Sequence, residues 1–344
     1  MKTKTISIGC FSLVIIGFLS ATAQNSTTKV PGINLELMDK KTKPVNDFFR
    51  YVNGTWLDKT PIPADKTRWG SFDELRQNTD KDALEILKDA VASKKYASNS
   101  DQGKAINLYL SVMDTVARNK AGLKPLLPYL KKIDGVQNIK DLQKLMVEMD
   151  AVGGVGFFGI GVGSDSKNSK RNIVSVGLGS LGLPDRDYYV GEDKDSKEKR
   201  DKYALHVAKM LQFLGDKPEI AKSNAERILA FEIQMAKPRF DRVERRDSRK
   251  SYNPMSVDGL QKLMPTIDWR VQLSGIGLPK VDSIIVSQPK YLAAINSIFA
   301  ENKVDDWKQY MRWNMLNRAT SQLSTDLETA NWEFYGKTLT GAVK

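Results

Sequence analysis

Apolar residues recur three and four positions apart along most of this chain, the spacing of amphipathic helices. That spacing breaks down most clearly over residues 155–178. Val155 to Val162 mixes glycine with β-branched and aromatic residues, and Ser164 to Lys170 is polar. Asn172 to Leu178 then alternates, with Ile173, Val174 and Val176 as its apolar positions. The pattern predicts a β-hairpin with a long turn, set into an otherwise helical protein. A second short apolar run, Val281 to Val286, is a candidate strand. The fold class expected is therefore mainly α with a small β-hairpin or sheet insertion.

Helices are predicted over 73–92, 101–118 and 139–150, the last carrying Leu142, Leu145, Met146 and Met149 on one face. After the hairpin, Gly182-Leu183-Pro184-Asp185 reads as a turn that opens a short helix through Tyr188 and Tyr189. Long helices follow over 194–214, capped by Gly215, and 217–237, stopped by Pro238. Three more are expected at 289–301, 304–317 and 321–336.

The first residues belong to targeting. Met1 to Lys4 are basic, Ile6 to Ser20 are mostly apolar, and Ala21-Thr22-Ala23 is a small-residue cleavage site. That is a cleavable secretory signal peptide over residues 1–23, pointing to a periplasmic or extracellular protein with no lasting transmembrane segment. Cys10, the sole cysteine, lies inside it, so the mature chain has no disulfide and no thiolate ligand or nucleophile. Residues 24–44 form a polar, extended lead-in containing Pro31 and Pro44. Residues 45–344 form the helical region, with the β insertion over about 155–178. The formal charge is +12, and losing Lys2 and Lys4 leaves +10. Lys and Arg are interleaved with Asp and Glu, which is a solvated basic surface. With no zinc-finger, homeodomain-arm or RNP-type motif, nothing points to nucleic acid.

Few residues suggest chemistry. Arg68 sits among Pro61, Pro63, Trp69, Gly70 and Phe72, a turn-rich setting in which a fixed guanidinium can bind a carboxylate bidentately, with Asp73 placed to orient it. From the residues alone the plainer reading is structural, an ion pair that holds a loop against a helix start. His206, the only histidine, falls within a predicted helix and has no second histidine to join it, which favours a structural role. Gly154-Val155-Gly156-Phe157-Phe158-Gly159 matches G-x-G-x-x-G by letter but leads into a strand instead of a helix, so it is not a dinucleotide loop. Arg239, Arg242, Arg245, Arg246 and Arg249 alternate with Asp241, Glu244 and Asp247, which reads as a self-neutralising network. There is no G-x-S-x-G or P-loop pattern.

Several separated stretches resemble the neprilysin-like (M13 family) zinc peptidases. Asp47-Phe48-Phe49 with Tyr51, Asn53, Gly54 and Trp56 is similar to the family's D-F-Y-x-Y-x-N-G-x-W opening, and Ile62-Pro63 and Trp69-Gly70-x-Phe72 continue it. Gly182-Leu183-Pro184 with Tyr188-Tyr189 resembles its G-L-P-x-x-x-Y-Y segment. Arg245-Arg246-Asp247, Tyr252 to Met255, Gln288-Pro289-x-Tyr291-Leu292 and Asn331-Trp332-x-Phe334-Tyr335 follow in order. The resemblance implies an exported zinc metalloendopeptidase acting on oligopeptides, in which a helical N-terminal region helps to enclose a chamber. It implies that Arg68, in the family's R-[YW]-G-x-F-D stretch, binds a substrate carboxylate, with Asp73 beside it. The H-E-x-x-H zinc helix, which needs two histidines one turn apart, is not in this chain. The expectation is thus an N-terminal region, without zinc of its own and inactive alone. The alternative is a free-standing, non-catalytic helical protein that binds peptides or a partner.

Overall fold

A computed structural model describes residues 32–343, so the expected signal peptide and the first part of the expected lead-in lie outside the described residues. The described chain falls into two compact units, residues 32–61 and 62–343.

The first unit is a 3-10 turn, Leu35–Leu37, and helix α1, Phe48–Lys59. Asp47 caps α1 by accepting the Arg50 amide at 2.8 Å. The lead-in lies back on α1: the Asp39 amide donates to the Tyr51 carbonyl at 3.0 Å. The Thr55 hydroxyl donates to the Met38 carbonyl at 2.8 Å. Gly54 permits this approach, because a Cβ there would stand 2.5 Å from the Asp39 Cβ. The glycine of the sequence motif is therefore a packing requirement. The apolar side chains of α1 fall on several sides of the helix, so the segment lacks the one-sided apolar spacing by which a helix is recognised.

In the second unit, α2 (Ser71–Ser93) and α3 (Asp101–Met113) come first. The helix expected over 101–118 is two helices. Asp114 leaves the helical region at ψ 75° and its side chain caps α4 (Thr115–Ala121) by accepting the Ala117 amide. Then come α5 (Leu127–Asp134) and α6 (Ile139–Met149), the latter burying the four residues named from its spacing. The hairpin is β1 (Phe158–Asp165) and β2 (Asn168–Leu178). Its turn is short rather than long, because the buried Asp165 carboxylate accepts the Lys167 amide at 2.9 Å and closes the chain at once. The next helices are α7 (Arg186–Val190), α8 (Lys194–Phe213) and α9 (Pro218–Ala236).

β3 (Asn253–Ser256), α10 (Val257–Leu263), α11 (Trp269–Gly275) and β4 (Ser283–Val286) complete a four-stranded sheet ordered β1-β2-β4-β3. The β2–β4 pair is parallel and the other two are antiparallel. Then follow α12 (Pro289–Glu301), α13 (Val304–Ala319), α14 (Thr325–Trp332) and a π-helical turn over Glu333–Thr338. The core runs from Leu126 to Phe334 as one cluster. Phe157, just before β1, stacks edge-on against Phe299 at 4.8 Å and lies 6.1 Å from Phe231. By contrast α2 buries no residue, and Phe72, Leu75, Ile86, Leu108 and Met113 on α2 and α3 are exposed.

Candidate functional site

Arg68 lies in the turn-rich link that precedes α2 and is exposed. Among the described residues its guanidinium makes no hydrogen bond or ion pair, so all of its donors are available. Asp73 is half-buried in the first turn of α2, where its amide and that of Glu74 donate to the Gly70 carbonyl at 2.9 and 3.0 Å. Two acids in that turn complement the positive end of the helix. No hydrogen bond or ion pair joins Asp73 to Arg68 among the described residues.

The structure brings together a different set of polar groups. Glu232 on α9 is buried at 1% exposure. Its Oε1 accepts the Gly182 amide at 3.1 Å, and its Oε2 accepts the hydroxyls of Tyr189 and Tyr203 at 2.8 and 2.7 Å. Each hydroxyl is used twice: Tyr203 also accepts from the Trp313 indole at 2.7 Å, and Tyr189 from the Leu183 amide at 2.7 Å. Tyr335 donates to the Gly182 carbonyl at 2.9 Å. A Cβ at Gly182 would collide with the Tyr203 hydroxyl. The Gly-Leu-Pro and Tyr-Tyr segments are thus the two sides of one lock around a carboxylate. Burial pushes the Glu232 pKa up to about 7, against the pull of its three donors. The sequence contained a signal for this group: Glu232 falls in the apolar phase of α9, with Ala225, Ile228, Met235 and Ala236. Both oxygens of the carboxylate are taken by these main-chain and side-chain donors, which makes the group a fastening between α9, α7 and α8.

His206 is also buried, 4.6 Å from the Phe334 ring and parallel to it. Burial brings its pKa down to about 4, with nearby Lys209 acting in the same direction, so it is neutral at pH 7. The glycine run 153–156 adopts left-handed backbone at Gly153, Gly154 and Gly156 and feeds β1, with no helix following. The arginine segment neutralises itself only in part, because two of its arginines reach an acid outside it. Arg242 and Arg245 reach Asp185, Arg249 reaches Asp247 and Lys250 reaches Glu244. Arg239 instead turns inward, donating to the Gly179 carbonyl at 2.9 Å above the Tyr291 ring.

Residues 44–344 match peptidase family M13. The chain belongs to that family. Its relatives include the endothelin-converting enzyme homolog of Locusta migratoria, 29% identical over 313 residues, which covers 84% of this chain and 42% of that protein. Endothelin-converting enzyme 1 of Mus musculus is 28% identical, covering 87% of this chain and 40% of that enzyme. The solved zinc metalloprotease of Mycobacterium tuberculosis in complex with an inhibitor superposes with a TM-score of 0.81 at 32% identity, covering 91% of this chain and 48% of that one. This M13 chain therefore spans less than half the length of these relatives and corresponds to the N-terminal family region. The family's mainly helical architecture with a small mixed sheet is the one found here.

M13 peptidases are zinc enzymes. The residues described here do not fit that ion. No group of three His, Cys, Asp or Glu side chains among them is placed to hold a metal. The one histidine is largely buried, its ring packed against Phe334, Trp313 and Tyr335, and none of the residues beside it supplies a second imidazole or thiolate ligand.

Proposed function

We propose that this chain is the N-terminal region of an exported M13 metalloendopeptidase that hydrolyses oligopeptides. In that reading it supplies wall surface of the substrate chamber and a carboxylate-binding arginine, Arg68, which Asp73 steadies when substrate is bound. Hydrolysis then depends on groups outside these residues, and the chain by itself is inactive. The observation that carries the reading is the family match over residues 44–344.

Two features support it further. Arg68 presents a guanidinium with no competing partner among the described residues, the state in which a free peptide carboxylate can take two parallel hydrogen bonds. α2 buries no residue, and Phe72, Leu75 and Ile86 on it, Leu108 and Met113 on α3 and Val116 on α4 are exposed. A further portion of an M13 enzyme would cover them. Export is proposed from the leader at residues 1–23, and no described helix is long and apolar enough to cross a membrane.

The test places these residues in a full-length M13 chain and compares Arg68→Ala with the parent on peptides that differ only in a free or amidated C-terminus. The reading expects KM to rise tenfold or more for the free acid and to change little for the amide. Equal losses on both would show that Arg68 does not read a carboxylate.

A further inference from the structure

Among the described residues the outer edge of β1 has no partner strand. Its phase follows from its neighbours. The Ser287 amide donates to the Val176 carbonyl at 2.9 Å, so Val176 turns its main chain toward β4. Ser175 and Gly177 then turn theirs toward β1, where they face Gly161 and Gly159. The amides and carbonyls left pointing outward belong to Phe158, Ile160 and Val162. Among the described residues none of these main-chain groups has a hydrogen bond to any other element.

Proteins normally guard such an edge with lysine, proline or a bulge. Phe158 to Ser164 contains no charged residue and no proline, and its one irregularity lies at the far end, between Ser164 and Asp165. Glycines at 159, 161 and 163 leave one face of the strand without side chains, which removes hindrance to an incoming chain.

A cavity of about 150 Å³ adjoins the Phe158 end of this edge. Phe158 and Ile160 line it together with Met146, Gly154, Asp150 and Gln272. Gln272 is buried at 2% exposure, and its Oε1 has no hydrogen-bond partner. A buried amide acceptor left unpaired costs free energy that a donor on a ligand would recover. Asp150 is also in the lining, so an acid and a buried amide oxygen without a partner border a cavity otherwise walled by apolar side chains and glycines.

From this we infer that the edge of β1 is a strand-addition site for an extended peptide segment, with a lysine or arginine side chain seated in the adjoining cavity. Main-chain bonds to Phe158, Ile160 and Val162 hold the segment, and the cavity selects one side chain. The inference rests on the reading of the chain as part of a peptidase that handles extended oligopeptides, and it assigns such peptides a docking place away from Arg68.

The experiment uses the full 344-residue chain and a labelled heptapeptide, Thr-Val-Thr-Lys-Thr-Val-Thr, followed by fluorescence anisotropy and amide hydrogen exchange. Methylating alternate peptide nitrogens is expected to weaken binding tenfold or more. Bound peptide is expected to slow exchange at Ile160 and Val162 but not at Gly161, whose amide already faces β2. Ile160→Pro removes an outward donor without touching the β2 ladder and is expected to weaken binding to a similar degree. Gln272→Leu is expected to abolish the preference for lysine over leucine at the central position. The inference is overturned if the methylated peptide binds as well as its parent, or if the peptide does not bind. It is also overturned if Ile160 and Val162 are protected without peptide in proportion to protein concentration, which would give the edge to a second copy. Hydrolysis by a full-length enzyme with unchanged KM in Ile160→Pro would reject the edge and leave the peptidase reading intact. Edge protection without hydrolysis in that full-length enzyme would do the reverse.

Discussion

Replacing Glu232 by glutamine separates two buried groups whose titrations oppose each other. Glu232 has its pKa raised from 4.5 to about 7 by burial. The folded chain therefore keeps a proton that the unfolded chain releases. The contribution of this group is full below pH 4.5 and is lost as pH rises through about 7. At about 1.4 kcal/mol per pH unit, the loss is about 3 kcal/mol. His206 has its pKa lowered from 6.5 to about 4, again by burial first. Its contribution is full above pH 6.5 and is lost as pH falls through about 4, also by about 3 kcal/mol. Between pH 4.5 and 6.5 the two slopes cancel, so the parent chain should show a nearly flat stability there. Glu232→Gln keeps the shape of the side chain, leaves at least one of its three donors unpaired and removes the falling slope. It should be less stable than the parent by about 1–3 kcal/mol at pH 4.5, and its stability should then climb with pH. His206→Phe should do the opposite and decline over the same range. Urea unfolding at pH 4.5, 5.5 and 6.5, read by tryptophan fluorescence, measures both, since Trp313 is bonded to Tyr203 inside the cluster. Parallel pH profiles for the parent and both variants would refute the assignment of these two groups as the opposing titrations.

Other consequences are local. Gly54→Ala should destabilise the first unit by about 1–3 kcal/mol through contact with Asp39, seen as faster amide exchange over residues 32–61 and unchanged exchange at the Glu232 cluster. Asp165→Asn should loosen the hairpin tip, because the carboxylate joins the Lys167 amide, the Arg171 guanidinium at 2.7 Å and the Tyr252 hydroxyl at 3.0 Å. Exchange at Lys167 and Asn168 should accelerate, and exchange at Val174 and Val176 should not. Gly182→Ala should cost at least as much as Glu232→Gln, measured by the same urea titration, since its Cβ would push the Tyr203 hydroxyl off the carboxylate.

Periodic segments were the legible part of the fold. The spacing at 139–150 and the long runs at 194–214 and 217–237 correspond to α6, α8 and α9 within about two residues at each end. The segments that escaped were those in which local chemistry outweighs pattern. Asp114 breaks a continuous apolar repeat because its carboxylate caps the next helix. β3, Asn-Pro-Met-Ser, has no strand signature and exists because β4 offers an edge. The parallel pairing of β2 with β4 joins residues more than a hundred positions apart, which no local window reveals. For the site, the Gly-Leu-Pro and Tyr-Tyr motifs were visible, while their common partner Glu232 was marked only by its place in the apolar phase of α9. Arg68 was legible as an exposed cation in a rigid turn, whereas an Asp73 contact is not formed among the described residues.

The central claim is that an M13 fold is present here without the means to hydrolyse peptides by itself. It is tested most directly by measuring zinc content and oligopeptide cleavage on one preparation of the purified 344-residue chain, alone and after joining it to the remaining portion of an M13 enzyme. The account predicts no stoichiometric zinc and no cleavage for the chain alone, with both appearing in the joined protein. Tight zinc binding with peptide cleavage by the chain alone would contradict it.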